Sequence, residues 1–337
     1  MITGVVVEQI YPFADPIKHY RMAEQSEKHN ELRWYQQVAF ALLWGFCRLL
    51  GFAPRWVRYY VLRPFLIGVL RLVRYRRKVI LENLRHSFPE KNEDEILAIM
   101  RKYYASLGEI IANIICLAGA NPKRDADVIT WEDAPKHIAE NRGRDWIAMA
   151  SHFGCWEYYP LWSWTDRESR FLSVYHPLKS PVFEKFFRRI RKYTPNVELV
   201  PMSNTLRQYL RVRSSEYTTV LGLISDQSPQ LTADSLWYDF LNQKTTFITG
   251  SERLAMRFGI PVYFCDVERR PMGCYHVRFI QIFDGVERVE EGEITRRYVE
   301  HLERMIRRTP ELWMWSHKRW KYTPEKQALM FGKSTLK

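Results

Sequence analysis

The sequence predicts an α/β protein: a central, mostly parallel or mixed sheet flanked by helices, preceded by a helical N-terminal region that binds a membrane. Three observations predict it. From residue 121 onward, short apolar runs alternate with segments of helical periodicity, the pattern of strands separated by helices that cover a layered sheet. Ahead of them lie two apolar stretches, 38–54 and 62–72, the second closed by an arginine cluster. The composition is basic and aromatic, with 51 Lys and Arg against 38 Asp and Glu, a formal charge of +13, and 12 tryptophans. Such a surface attracts an anionic partner, and Trp and Tyr favour the water-lipid boundary. The 337 residues suffice for a large core in one large or two small domains. They divide into a polar N-terminal extension (1–30), a helical membrane-associated region (31–120), an α/β domain (121–325) and a tail (326–337).

The extension shows no basic n-region followed by an apolar h-region. Met22 opens an ordinary polar start, Ala-Glu-Gln-Ser-Glu-Lys-His-Asn, so either Met1 or Met22 can begin the chain. Residues 38–54 are apolar but carry Arg48, and fall short of the roughly 20 apolar residues of a span. Residues 62–72 end on Arg71, Arg74, Arg76, Arg77 and Lys78. The two stretches fit a hairpin or amphipathic pair lying in the interface, its arginines on lipid headgroups. From Asn92, apolar residues Ile96, Met100, Tyr103, Leu107, Ile110, Ile114 and Leu117 step by three and four, which predicts a helix, and Asn92 with Glu95 has capping-box spacing. Strands are then expected at 146–150, 171–175, 219–225, 262–267 and 275–282. Helices are expected at 155–166, 181–192, 203–213 and 249–258, with a last one at 294–308.

The run Ala148-Met-Ala-Ser-His-Phe-Gly-Cys-Trp-Glu-Tyr-Tyr159 reads as strand, turn, helix. On one continuous helix His152 and Glu157 would be badly placed, since five residues turn through about 140° and rise about 7.5 Å. If the chain doubles back at Gly154, Glu157 can meet the imidazole, orient it and stabilise its protonated form, as a general base requires. Asp226 follows the expected strand at 219–225. It therefore shares the carboxyl edge of the sheet with His152, where open α/β sheets place ligands, as a second acid or as a turn cap before Pro229.

Other chemistries fit less well. No GxxxxGK[ST] or GxGxxG occurs, against a P-loop kinase or Rossmann dehydrogenase. His152, Glu157, His176 and Asp226 lack the H-x-x-x-H or H-x-H nucleus of a metal centre, and no metal is expected. The five cysteines form no C-x-x-C pair, which favours a reduced compartment. Cys155 reads as a small apolar residue and not a nucleophile. The non-enzyme alternative is a nucleic-acid-binding protein using Arg188-Arg-Ile-Arg-Lys192 or His317-Lys-Arg-Trp-Lys321, where cations interleave with an aromatic.

The form His152-Phe-Gly-Cys-Trp-Glu157 resembles the HX4D/E signature of glycerolipid acyltransferases, and most closely that of the bacterial lipid A late acyltransferases, the lauroyl and myristoyl transferases. Three further blocks in the correct order carry the resemblance from about residue 35 to 322. They are Arg77-Lys-Val-Ile-Leu-Glu-Asn-Leu-Arg-His-Ser-Phe-Pro-Glu90; the pair Leu223-Ile-Ser-Asp-Gln227 and Trp237-Tyr-Asp-Phe-Leu-Asn-Gln243 with Thr249-Gly-Ser-Glu-Arg-Leu-Ala255; and Pro310-Glu-Leu-Trp-Met-Trp-Ser-His-Lys-Arg-Trp-Lys321. The resemblance implies a glycerolipid acyltransferase-like fold and an O-acyltransferase of lipopolysaccharide biosynthesis at the cytoplasmic face of the inner membrane. It implies an acyl carrier protein thioester as donor, the hydroxyl of a membrane glycolipid as acceptor, and an anionic membrane surface as partner, with no nucleic acid and no cofactor. His152 would act as base with Glu157 holding the imidazole, backbone N–H groups near Gly154 would meet the oxyanion, and Arg188, Arg189 and Arg207 would bind acceptor phosphate or the acidic carrier.

Overall fold

The computed structural model describes residues 32–332 apart from Ser215; the N-terminal extension and the alternative start at Met22 lie outside them. Helix α1 (Trp34–Phe52) and the short α2 (Arg55–Val57) lead through a π-turn, Arg58–Leu62, into α3 (Arg63–Leu72). Helices α4 (Arg77–Ser87) and α5 (Glu93–Leu117) follow. The α5 start is fixed as its sequence predicts: Asn92 Oδ1 accepts from Glu95 N–H at 3.0 Å and Glu95 Oε2 accepts from Asn92 N–H at 2.9 Å. Ile96, Met100, Tyr103, Leu107 and Ile110 form its buried stripe.

No single described helix is long and apolar enough to cross a membrane, whereas α1 and Arg55–Leu72 meet the length and composition together, bent by 114°. Leu42, Phe46, Leu49 and Phe52 on α1, and Phe65, Val69 and Leu72 on α3, are exposed. Their three- and four-residue spacing puts each set on one helix face.

The sheet has seven strands: β1 (Ile129–Trp131), β2 (Trp146–Ala150), β3 (Arg170–Tyr175), β4 (Val197–Pro201), β5 (Thr219–Ile224), β8 (Val262–Arg270) and β9 (Cys274–Phe283), in the order β1-β9-β8-β2-β5-β3-β4. All neighbours are parallel except β8 with β9. Helices α6 (Ala134–Glu140), α7 (Trp162–Thr165), α8 (Pro181–Arg191), α9 (Thr205–Val212), α10 (Gly250–Phe258), α11 (Glu293–Arg308) and α12 (Pro324–Phe331) complete the chain. This is the mixed α/β architecture the alternation predicts. Strand β2, Trp-Ile-Ala-Met-Ala, lies inside the sheet and is buried along its whole length, which is why it reads as a continuous apolar run.

Four strands are absent from the sequence-based expectation. The edges β1 and β4 are short, and β4 carries Glu198 and ends on Pro201, devices that protect an edge and blur its signal. Strands β6 (Trp237–Phe240) and β7 (Gln243–Thr246) form a separate antiparallel hairpin. Its turn places Leu241 and Asn242 at φ of 50° and 63°, a left-handed pair usually written Asn-Gly. The expected helix at 155–166 is a 3-10 segment, Trp156–Leu161, running into α7. One continuous core extends from Phe40 and Leu70 in the N-terminal helices to Trp315.

Candidate active site

Parallel pairing of β2 with β5 sets Ala150 opposite Ile224. Two residues further along each strand stand His152 and Asp226, so the register delivers both to the same point of the carboxyl edge. His152 Nδ1 lies 2.7 Å from Asp226 Oδ1, and the His152 backbone N–H donates to Asp226 Oδ2 at 3.0 Å. With a carboxylate as partner, Nδ1 carries the proton and Nε2 is left basic. The Asp226 side chain is 2% exposed and that of His152 17%, an accessible base backed by a sealed acid. Trp156 packs edge-on against the imidazole at 5.0 Å. Gln227 Nε2 donates to His152 Nε2 at 3.2 Å, occupying the place an attacking hydroxyl needs.

Burial alone would raise the Asp226 carboxyl. The His152 charge, with hydrogen bonds from His152 and Trp313, reverses that and holds the group below its ordinary range.

Glu157 is not the imidazole's partner. The expectation that Gly154 would fold it back onto His152 is corrected by the 3-10 turn, which directs the Glu157 carboxylate to Arg191. Arg191 Nε and Nη2 each donate to it at 2.6 Å. The pair is enclosed, at 4% exposure for Glu157 and 16% for Arg191, with the guanidinium over the rings of Phe187 and Tyr175. It ties the turn after β2 to the last turn of α8.

Gly154 also differs from expectation. Its N–H donates to Leu312 O at 3.0 Å and so is not free for an oxyanion. Its φ is 61°, and a Cβ there would meet Tyr275 Cε1 at 2.4 Å; glycine is required by the turn and by this close approach. Cys155 is buried, and burial pushes its thiol well above the ordinary value, leaving an inert side chain. Of the basic residues assigned to phosphate or carrier, Arg188 donates to Tyr175 Oη at 2.8 Å and Arg189 lies 4.2 Å over the Trp44 ring of α1. Only Arg207 is exposed with no partner among the described residues.

The C-terminal segment 310–320 closes the site from above, a role no single residue in it announces. Met314 N–H donates to His152 O at 3.1 Å, Phe153 and Trp313 form an antiparallel bridge, and Trp313 Nε1 donates to Asp226 Oδ2 at 2.8 Å. The strap is held in turn by Asn83 Nδ2, which donates to Trp315 O at 2.8 Å and His317 O at 2.9 Å, and by Arg76 Nη1 on Ser316 O at 2.8 Å. Burial lowers the His317 imidazole to about 4 and the Arg319 guanidinium to about 10. Both basic runs considered for nucleic acid therefore lose a cation to the interior: Arg191 to Glu157, and Arg319 to a buried place over Phe247, 4.4 Å from the ring.

A base, an orienting acid and a strap of this kind suit hydroxyl activation for group transfer. The profile of the bacterial lipid A biosynthesis acyltransferases matches residues 25–322. The chain belongs to that family. This acyltransferase is thus an enzyme of lipid A biosynthesis, and the matched span contains the dyad, the Glu157–Arg191 pair and the strap. No curated protein matches the chain. Within the acyltransferase, Arg191, Gln227 and Trp313 are the site residues that the sequence did not single out. Arg191 sits in a basic run whose members look alike, and nothing in the spacing separates the arginine that turns inward from those that stay outside.

Proposed function

We propose that this acyltransferase moves a fatty acyl chain from the thioester of acyl carrier protein to a hydroxyl of a membrane glycolipid, a lipid A precursor, at the cytoplasmic face of the inner membrane. The observation that carries the reading is the His152–Asp226 pair at the carboxyl edge, with the acid sealed and the imidazole partly exposed. Once the Gln227 amide swings off Nε2, His152 Nε2 takes the hydroxyl proton as the oxygen attacks the thioester carbonyl. The tetrahedral intermediate collapses with loss of the C–S bond, and the imidazolium returns the proton to the departing thiolate, leaving an ester and a free carrier thiol. Asp226 keeps Nδ1–H directed away from the reaction and offsets the charge that forms on the ring. The thioester supplies the driving force, so positioning and proton transfer suffice without a cofactor.

The exposed apolar faces of α1 and α3 support a place at the lipid surface, with Arg71, Arg74, Arg77 and Lys78, all exposed, toward anionic headgroups. The basic surface supports the acidic carrier protein over coenzyme A as donor, through an encounter that salt screens. The test is purified full-length enzyme given carrier-bound or coenzyme A-bound acyl donor and a lipid A precursor, with products read by mass spectrometry. A gain of one acyl mass from the carrier-bound donor, slower at high salt, is expected. No transfer to the glycolipid, or equal salt-independent rates with both donors, overturns acceptor or donor respectively.

A further inference from the structure

The basic nitrogen of the site already has a partner, and that partner is loosely held. His152 gives its Nδ1 proton to Asp226, so Nε2 is an acceptor and only the NH2 end of the Gln227 amide can face it, at 3.2 Å. The same amide nitrogen donates to Met314 Sδ on the strap at 3.7 Å, and a thioether is a weak acceptor. The backbone beneath is fixed on both sides. Asp226 accepts from His152 N, His152 Nδ1 and Trp313 Nε1, while Ser228 donates from Oγ to Arg319 O and from its N–H to His317 Nε2. Gln227 thus combines an anchored backbone with a half-buried side chain whose hydrogen bonds among the described residues are a long one to a ring nitrogen and a weak one to sulfur.

That arrangement bears on a side reaction. A thioester beside a general base is open to water as well as to a lipid hydroxyl. The water oxygen attacks the carbonyl and its proton passes to Nε2; the C–S bond then breaks and the thiolate takes the proton, leaving a free fatty acid and the carrier thiol. Water must first take Nε2 from the amide, and it brings one hydrogen bond to replace the one it breaks. An acceptor lipid brings binding energy from parts remote from its hydroxyl, and that energy can drive displacement of the amide.

We propose that Gln227 sets specificity for the acceptor: its amide caps His152 Nε2 against water and yields to a hydroxyl held by the rest of a bound lipid. The inference rests on the transfer reaction proposed above and adds to it a residue that separates transfer from hydrolysis. A single hydrogen bond of this kind shifts such a competition by a factor of roughly two to ten.

The test follows free fatty acid and acylated lipid by mass spectrometry, using purified full-length enzyme, carrier-bound acyl donor and a lipid A precursor. Gln227→Leu, similar in size but without a donor, should raise the ratio of free acid to acylated lipid, and the free acid released without acceptor, by roughly two- to tenfold. Adding His152→Ala should abolish that gain, because it runs through Nε2. If Gln227→Leu melts early, Gln227→Glu checks the contact: a carboxylate against the ring favours the imidazolium, so the pH at which the base becomes active should rise by about one unit or more. Wild-type enzyme that acylates the lipid while folded Gln227→Leu hydrolyses no faster overturns the cap and leaves the transfer reaction standing. Hydrolysis that falls together with transfer does the same, and would make the amide a donor to the oxyanion. A gain that survives His152→Ala, or an unmoved pH profile in Gln227→Glu, also overturns the cap. Wild-type enzyme that acylates nothing overturns the transfer reaction and the cap with it.

Discussion

Two carboxylate–nitrogen pairs flank the turn after β2, and they differ in what they leave open. His152–Asp226 buries the acid and leaves an edge of the base accessible, whereas Glu157–Arg191 encloses both charges. A buried charge pair that saturates itself has no capacity left for a substrate proton, while a ring nitrogen held only by the Gln227 amide does. The two members of a single six-residue motif therefore separate into a proposed reacting group and a structural clamp, because the register of β2 on β5 brings a different carboxylate to the imidazole.

The comparison is broken most severely through the dyad. Asp226→Asn and His152→Ala should each lower kcat by about 10²–10⁴-fold in protein that still binds acyl donor, measured by single-turnover transfer. Near-normal turnover in either variant would falsify the dyad. Glu157→Gln should act on stability first. It leaves the Arg191 guanidinium buried without a counter-charge, a loss of about 3–5 kcal/mol visible in denaturant melts. Replacing both partners, Glu157→Gln with Arg191→Met, should recover part of it; a Glu157→Gln protein of full stability with abolished turnover would restore Glu157 to the chemistry.

A smaller effect is expected at Trp313. Trp313→Phe keeps the ring among Phe240, Trp315 and Trp320 but removes one donor to Asp226, a bond to a charged group of about 1.5–3 kcal/mol. The rate should fall by roughly tenfold or more, and an unaltered rate would detach the strap from the dyad.

Acid stability sharpens the contrast between open and enclosed groups. His137, stacked on Phe279 at 4.4 Å, is lowered by burial from 6.5 to about 4, and His317 likewise. Each is neutral in the fold while the unfolded chain takes up a proton, so their contribution is complete above pH 6.5 and is lost as pH falls toward 4. Asp226, with its depressed carboxyl, adds a loss only below the ordinary aspartate range. His137→Phe should flatten the fall in melting temperature between pH 6.5 and 4, corresponding to about 1–3 kcal/mol; an unchanged slope would assign it elsewhere. Cys155→Ser should cost least, a few-fold in rate at most, and an acyl-cysteine trapped by mass spectrometry would contradict that.

What the sequence determined by itself is local. The α5 cap, the apolar stripe at 96–110, the buried run of β2 and the strand-turn character around Gly154 follow from periodicity and from backbone preferences that neighbouring residues impose on one another. His152 and Asp226 were legible as strand-end residues for the same reason. Which carboxylate meets the imidazole was a matter for the tertiary structure, because it depends on the pairing of strands 74 residues apart. A residue 34 positions from Glu157 then decides that this acid is sealed, and a strap 87 positions from Asp226 supplies its last donor. Long-range pairing is set by how whole elements pack, and no spacing within a motif encodes the partner that packing brings.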